Sequence, residues 1–408
     1  MTPVKLGFGT YRVTPKNPAH VEALGLALEK GVRLIDTSSN YTGGDAERAV
    51  AEALKHSSVP REEVTIVTKG GYIQGALLGQ VQRGEMEVFD LVPYQEGCWH
   101  SIHSDFILDR INGSLQRLES GYIDTYLLHN PEYFLMHTIE SEADVPAARK
   151  EMERRLLEAF IALEEAVEAG MIRSYGISSN SFAKRPDHLH FLPYTRLLEL
   201  AEEAAAERGR DRHRFTTIEL PVNLLEQEGL KCAAWAKANG LTTLANRPLN
   251  AYDEKGMHRL ADYPKPEAYE SARDALLQAA DTYSMSELRS TVLDLDGIRE
   301  KFTWPGAAEE ALSRQTVPFI QGILSRLPDA SAKEAVIPLL NPFLRNYLQE
   351  VRHLCSQKTL SYLRAKGFKE AARPLQHYAL RWLLSRPEID RVLVGMRTPA
   401  YVEELLGS

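Results

Sequence analysis

Short apolar, β-rich runs alternate with helical patterns through most of this chain, and that alternation restricts the fold more than any other feature. The runs expected as strands are 6–10, 32–36, 64–69, 123–129, 172–178, 215–220, 241–245 and 391–396. Each is followed, sooner or later, by a helical pattern such as HVEALGLALEKG, DAERAVAEALKH or MERRLLEAFIALEEAVEAG. Parallel neighbours cannot be joined by a tight turn and need a crossover, so strands that alternate with helices build a parallel sheet. Eight such pairs lead to a closed (β/α)8 TIM barrel, an α/β fold, and 408 residues is within the reach of one barrel domain, 1–408, carrying insertions.

Two connections break the spacing. After the third strand, 70–104 forms a long loop insertion, and loops of that length are commonly functional. After the seventh, 246–373 contains amphipathic stretches such as ARDALLQAADTYS and LNPFLRNYLQEVRHLCSQKTLSYLRAKG, which read as a helical insertion within the barrel. Loops that follow barrel strands leave from the C-terminal rim, so both are expected on the catalytic face, as a lid or as an oligomer contact.

Composition narrows the partners. A formal charge of -8 and no dense Lys/Arg stripe argue against a nucleic-acid binder. Three cysteines make neither a disulfide framework nor a CxxC zinc pair, which fits a reducing cytoplasm. The opening MTPVKLGFGTYRV lacks the features of a signal peptide, and no apolar run is long enough to span a bilayer. The expected partner is a small molecule, with a homo-oligomer possible.

Polar residues at the downstream ends of barrel strands are where this architecture keeps its reactive groups. Asp36 ends VRLID, Tyr41 follows in DTSSNY, Lys69 ends EVTIVTK, and His129 ends YIDTYLLH. Neighbouring strands bring the four toward one mouth. Carbonyl reduction needs such a set, because a hydride reaching carbon leaves charge on oxygen that an acid must quench. Tyrosine alone, with a pKa of about 10, holds its proton tightly; a lysine ammonium beside it is expected to lower that value. Aspartate would keep the ammonium charged, and histidine could donate to the substrate oxygen. Each residue has a plainer reading: Asp36 as a cap, Tyr41 as core, Lys69 on the surface, His129 as a structural hydrogen-bonder. Their joint placement favours the site.

Weaker signals surround these. Tyr72 and Trp99 in the first excursion, with Tyr11, are candidates to line a substrate pocket. Cys98, His100 and His103 carry donor atoms but lack a catalytic-zinc context, so no metal is assigned. Gly7 and Gly9 do not make a dinucleotide fingerprint, because the full spacing is missing.

In chain order LGFGTYR, LIDTSSNY, IVTKG, SLQRLESGYIDTYLLHNPE, MIRSYGISSNSF, ELPVNLLE and YALRWLLSRPEIDRVLVGMRTPAYVEEL resemble the aldo-keto reductase family. The resemblance spans both ends of the chain and omits mainly the two insertions. It implies an NADPH-dependent oxidoreductase, with NADH also possible, acting on an aldehyde or ketone or the corresponding alcohol. Asp36, Tyr41, Lys69 and His129 would be catalytic. Gly9, Thr10 and Tyr11 would face the cofactor, with Asp36 beside them. The nicotinamide would lie against Asn180 with Ser178 or Ser179, and against Glu219, where the family's glutamine is replaced by a group that accepts but cannot donate. Asn246 stands where the family stacks an aromatic ring. Arg247, followed by Pro248 and Leu249, would reach the pyrophosphate. Gly395 and Arg397 would meet the ribose or its 2′-phosphate, with Tyr401 and Glu404 toward the adenine. Two further readings of the same barrel are a cofactor-binding sensor or scaffold, and a glycoside hydrolase using Asp36 and Glu219.

Overall fold

The computed structural model describes residues 5–327 and 330–407, so the first four residues of the N-terminal stretch read above lie outside it. The chain divides into two compact units, 1–248 with 382–408, and 249–381.

In chain order the first unit carries β1 (Leu6–Gly9), β2 (Leu34–Asp36), β3 (Thr65–Gly70), β4 (Tyr72–Gln74), β5 (Val92–Gln95), β6 (Cys98–His100), β7 (Ile123–His129), β8 (Ile172–Ser178), β9 (Phe215–Pro221) and β10 (Thr242–Asn246). The second unit contributes β11 (Asn250–Asp253) and β12 (Gly256–Arg259), and β13 (Arg391–Val394) returns to the first. Eight of these close a barrel in the order β1-β13-β10-β9-β8-β7-β3-β2. Its pairings are all parallel. The expected (β/α)8 architecture is therefore present, with strand ends moved by at most two residues.

The barrel forms because its strands can be buried on both faces. Six of the seven residues are buried in each of β7 and β9, the signature of a sheet covered by helices outside and filled by side chains inside. Leu34, Val67, Leu127, Leu244 and Leu393 meet in one apolar cluster. Gly176 shows how tight the wall is, since a Cβ there would stand 1.9 Å from the Thr217 carbonyl oxygen. With the interior filled by hydrocarbon, charged side chains concentrate at the C-terminal strand ends, among them Asp36, Lys69 and Glu219.

The first excursion is not a plain loop. Strands β4, β6 and β5 form an antiparallel sheet that pairs Tyr72 with His100, Ile73 with Trp99 and Gln74 with Cys98, and the helix Gly75–Gln82 follows β4. Strands of three or four residues are too short for their alternation to register in sequence.

The second unit has a hairpin, β11 against β12, and helices Tyr269–Thr282, Ser286–Ile298, Pro305–Ala311, Val317–Arg326 and Ala330–Ala365. Leu276, Leu288, Val292, Phe343, Tyr347 and Val351 belong to its own core. Among the described residues no helix is long and apolar enough to cross a membrane.

Candidate active site

Lys69 stands near the C-terminal end of β3 and is fully buried. Its ammonium donates to Asp36 Oδ1 and, at 3.1 Å, to the carbonyl of Thr37, and it lies 3.2 Å from Glu219 Oε2. A buried cation needs such partners, since an unpaired charge in a low-dielectric interior gives up its proton. Thr10 holds the aspartate's strand end, its amide and hydroxyl both donating to the Asp36 carbonyl at 3.0 and 2.9 Å.

Tyr41 follows β2 in a short turn that its own amide closes by donating to the Ser38 carbonyl at 3.1 Å. Its half-buried ring has Lys69 Nζ 5.2 Å from its centre. The rings of Tyr11 and His129 meet it edge-on at 5.2 and 6.0 Å.

Burial pushes the Tyr41 phenol above the ordinary tyrosine range; Lys69 pulls it down, but Asp36 and Glu219 push it up again. The ammonium lowers the phenol's pKa as expected, but burial of the hydroxyl, with two carboxylates sharing that cation, outweighs it. Lys69 is itself driven against ionisation by burial, yet Asp36 and Glu219 carry its pKa above the ordinary lysine value. Asp36 moves the other way for a carboxyl, raised by burial and by Glu219 against the pull of Lys69.

His129 is neutral in this setting, its pKa lowered by burial, by Lys69 and by His100. Its Nδ1 lies 3.1 Å from Ser38 Oγ, which leaves Nε2 as the ring nitrogen without a bond to that serine. The Tyr72 ring meets it edge-on at 4.6 Å. His100 Nε2 donates to the His129 carbonyl at 2.7 Å. Gly71 makes room for that bond: φ is +148° there, and a Cβ would stand 2.5 Å from His100 Nε2. Burial holds His100 down at about 4, so it remains a neutral donor.

The first excursion therefore brings Tyr72 against His129. The Tyr72 hydroxyl accepts from Asn130 Nδ2 at 2.5 Å and lies 2.8 Å from the Tyr133 hydroxyl, and Tyr94 stacks on Tyr133 at 3.9 Å. Trp99 sits on β6 opposite Ile73. The zinc-like trio is committed elsewhere: Cys98 Sγ accepts from Gln74, His100 bonds the His129 carbonyl, and His103 caps the helix Ser104–Leu118.

Residues expected to meet a cofactor fall into groups. Ser178 and Ser179 are buried at the end of β8, with the Ser179 amide donating to the Glu219 carbonyl at 3.0 Å. Asn180 Nδ2 donates to Asn130 Oδ1 at 3.2 Å, and Asn246 Nδ2 to Glu219 Oε1 at 2.9 Å. Arg247 is paired with Glu226 at 2.5 Å, and Pro248 is buried beside it in sequence. Leu249 belongs to the second unit, where its carbonyl accepts from Leu260. Gly9 packs against the Val394 backbone. Gly395 is exposed and Arg397 half-buried, just before the helix Pro399–Leu406, whose Thr398 side chain caps Tyr401 N. Tyr401 and Glu404 are on that helix and exposed.

Glu132 escaped the sequence reading. Its buried Oε1 accepts from the amides of Asn180 and Ser181 at 2.9 and 3.3 Å, so it holds the turn that leaves β8. Burial pushes its carboxyl up to about 7, against the bonds from Ser179, Ser181 and Asn180. The available signal was a glutamate in HNPE, immediately after the strand that ends in His129.

A family model described as Aldo/keto reductase family matches residues 5–408. The methylglyoxal reductase DkgB of Salmonella typhi is 27% identical over 242 residues, which is 59% of this chain and 65% of that protein. An aldo-keto reductase of Mycolicibacterium paratuberculosis is 32% identical over 153 residues, 38% of this chain and 37% of that one. The chain spans a little under two thirds of the length of the first of these relatives. Among solved structures, the glycerol dehydrogenase AKR11B4 from Gluconobacter oxydans covers 98% of this chain and 85% of its own at 17% identity and a TM-score of 0.48.

Proposed function

Because the chain belongs to the aldo/keto reductase family, we propose that it transfers hydride between NADPH, or NADH, and an aldehyde or ketone, with Tyr41 as the general acid and base. The observation that carries this reading is the buried contact of Lys69 with Asp36 beneath the Tyr41 ring, with His129 against the ring's edge. When bound, the cofactor supplies the hydride. Ser178, Ser179 and Asn180 would hold its nicotinamide amide, since they bring polar atoms to the C-terminal end of β8 that an apolar core does not need, while Glu219 faces Asn246 and Lys69. Arg397, beside the N-terminus of the helix Pro399–Leu406, suits the phosphate of NADPH by its charge.

The protein's own part follows from electrostatics. As the carbonyl oxygen gains negative charge, the Tyr41 hydroxyl gives it a proton, and the phenolate left behind is stabilised by the Lys69 ammonium. A phenol held above its usual pKa keeps its proton at neutral pH, which suits an acid. His129 Nε2 faces the substrate oxygen and orients it, and the Tyr72 and Tyr133 wall excludes water. In the alcohol-oxidising direction the same proton returns to Tyr41. The Lys69 ammonium stands between Asp36 and Glu219, so neither carboxylate is free to serve a glycosidase. Three free, buried cysteines support a reducing cytoplasm as the working compartment.

The test is NADPH and NADH titration by fluorescence, followed by turnover on a panel of aldehydes and ketones. Tyr41→Phe should bind NADPH as wild type does and lose at least about a hundredfold in kcat, the lower end of what a positioned acid contributes. Cofactor binding with no turnover of any carbonyl would favour the sensor reading instead.

A further inference from the structure

Lys69 has two carboxylate partners, and the proton transfer described above accounts for one. Asp36 is on β2, next to β3, which carries the lysine; Glu219 is on β9, three strands further round the barrel from β3, so its contact with Lys69 crosses the mouth. All three side chains are buried. Glu219 is also oriented for this contact. Oε1 accepts from Asn246 Nδ2 at 2.9 Å, which leaves Oε2 to face the ammonium at 3.2 Å. Asp36 and Glu219 also act on each other, so the two carboxyls and the ammonium form one coupled cluster. A glutamine there could present oxygen to Lys69 only if Asn246 turned its own amide round, and it would bring no charge.

We propose that Glu219 is a positioning residue for Lys69, a second counter-charge that keeps the ammonium ionised and in place when Asp36 cannot. The proposal rests on the reading of Tyr41 and Lys69 given above. Its physical basis is that a buried ammonium without a counter-charge deprotonates, while one with a single well-placed carboxylate does not. The charged and titratable groups acting on Lys69 are Asp36, Glu219, Tyr41 and His129. Of these only the two carboxylates can neutralise it without consuming the reaction's own acid.

The experiment measures kcat/KM for carbonyl reduction from pH 6 to 10 in the wild type, D36N, E219Q and the double variant D36N/E219Q, with K69M as the inactive reference. Each single variant should lower the pH at which activity falls away by less than the double variant does, because the other carboxylate remains. The double variant should lose at least about tenfold more than the product of the single losses, and its activity should fall away at a lower pH, where the unsupported ammonium loses its proton. A residue that merely packs would not move that pH limb. Two results overturn the proposal: a folded D36N that still binds NADPH yet is as inactive as K69M, or losses that simply multiply in the double variant. If the double variant does not fold, D36N decides alone, retained activity supporting the proposal and collapse overturning it. A Tyr41→Phe variant as active as wild type would instead remove the underlying reading of the site, so the two failures are distinguishable.

Discussion

Replacing Glu132 by glutamine should make the protein more stable at alkaline pH, although the residue is buried and hydrogen-bonded. The carboxyl is 1% exposed. Burial lifts its pKa from 4.5 to about 7. In the unfolded chain the proton leaves near 4.5; in the folded chain it stays until about 7. Between those values the unfolded state binds fewer protons, so stability falls as pH rises. The contribution is fully present below 4.5 and fully lost above 7. At roughly 1.4 kcal/mol per pKa unit the loss is about 3 kcal/mol. Glutamine keeps an oxygen that can accept from the amides of Asn180 and Ser181, and it has no proton to release. Whatever its NH₂ costs on burial is the same at every pH, so the pH slope isolates the ionisation. Urea unfolding at pH 5, 6, 7 and 8 should show the wild type losing about 2.5 kcal/mol relative to E132Q across that range, the rest having gone below pH 5. Parallel stability curves for the two proteins would refute the reasoning.

Lys69→Met leaves two buried carboxylates without their cation and should destabilise the fold by about 3–5 kcal/mol at pH 7, read as a lower Tm, with partial recovery as acid protonates the pair; an unchanged Tm would show that the cluster is not buried as described. Ser38→Ala removes the 3.1 Å contact to His129 Nδ1 and should cost about 1 kcal/mol of stability. The freed ring should also lower kcat/KM with NADPH affinity unchanged, and intact catalysis would mean that Ser38 does not hold the ring. Gly176→Ala forces a Cβ to within 1.9 Å of the Thr217 carbonyl, so it should abolish soluble expression or depress Tm by many degrees; wild-type melting behaviour would count against the close approach of β8 and β9.

Much of the site could be read from residue order because a barrel converts order into place. Asp36, Lys69 and His129 each close a run of apolar residues, and the end of such a run is the end of a strand at the rim. Their convergence followed from the topology alone. Glu132 could not be read this way. It lies in a turn, and its importance comes from two amides on a later segment, Asn180 and Ser181, which no local pattern connects to it. The same applies to the excursion after β3: Tyr72 was singled out as an aromatic in a long loop, but its bonds to Asn130 and Tyr133 and its contact with His129 depend on the pairing of β4 with β6.

The sequence by itself determined the architecture, the identity of the four catalytic candidates and the presence of a helical segment after the seventh barrel strand. These follow from hydrophobic periodicity, which is a local property of the chain. Tertiary structure alone decided the electrostatic character of the site. Whether a phenol beside a lysine is made more or less acidic depends on how much water it loses and how many carboxylates share the cation, and those are set by strands brought together from 36, 69 and 219. Glu219 reads in sequence as a departure from a familiar pattern; only the closure of the barrel puts its carboxylate against Lys69, because Coulomb interactions follow distance in space and not separation along the chain.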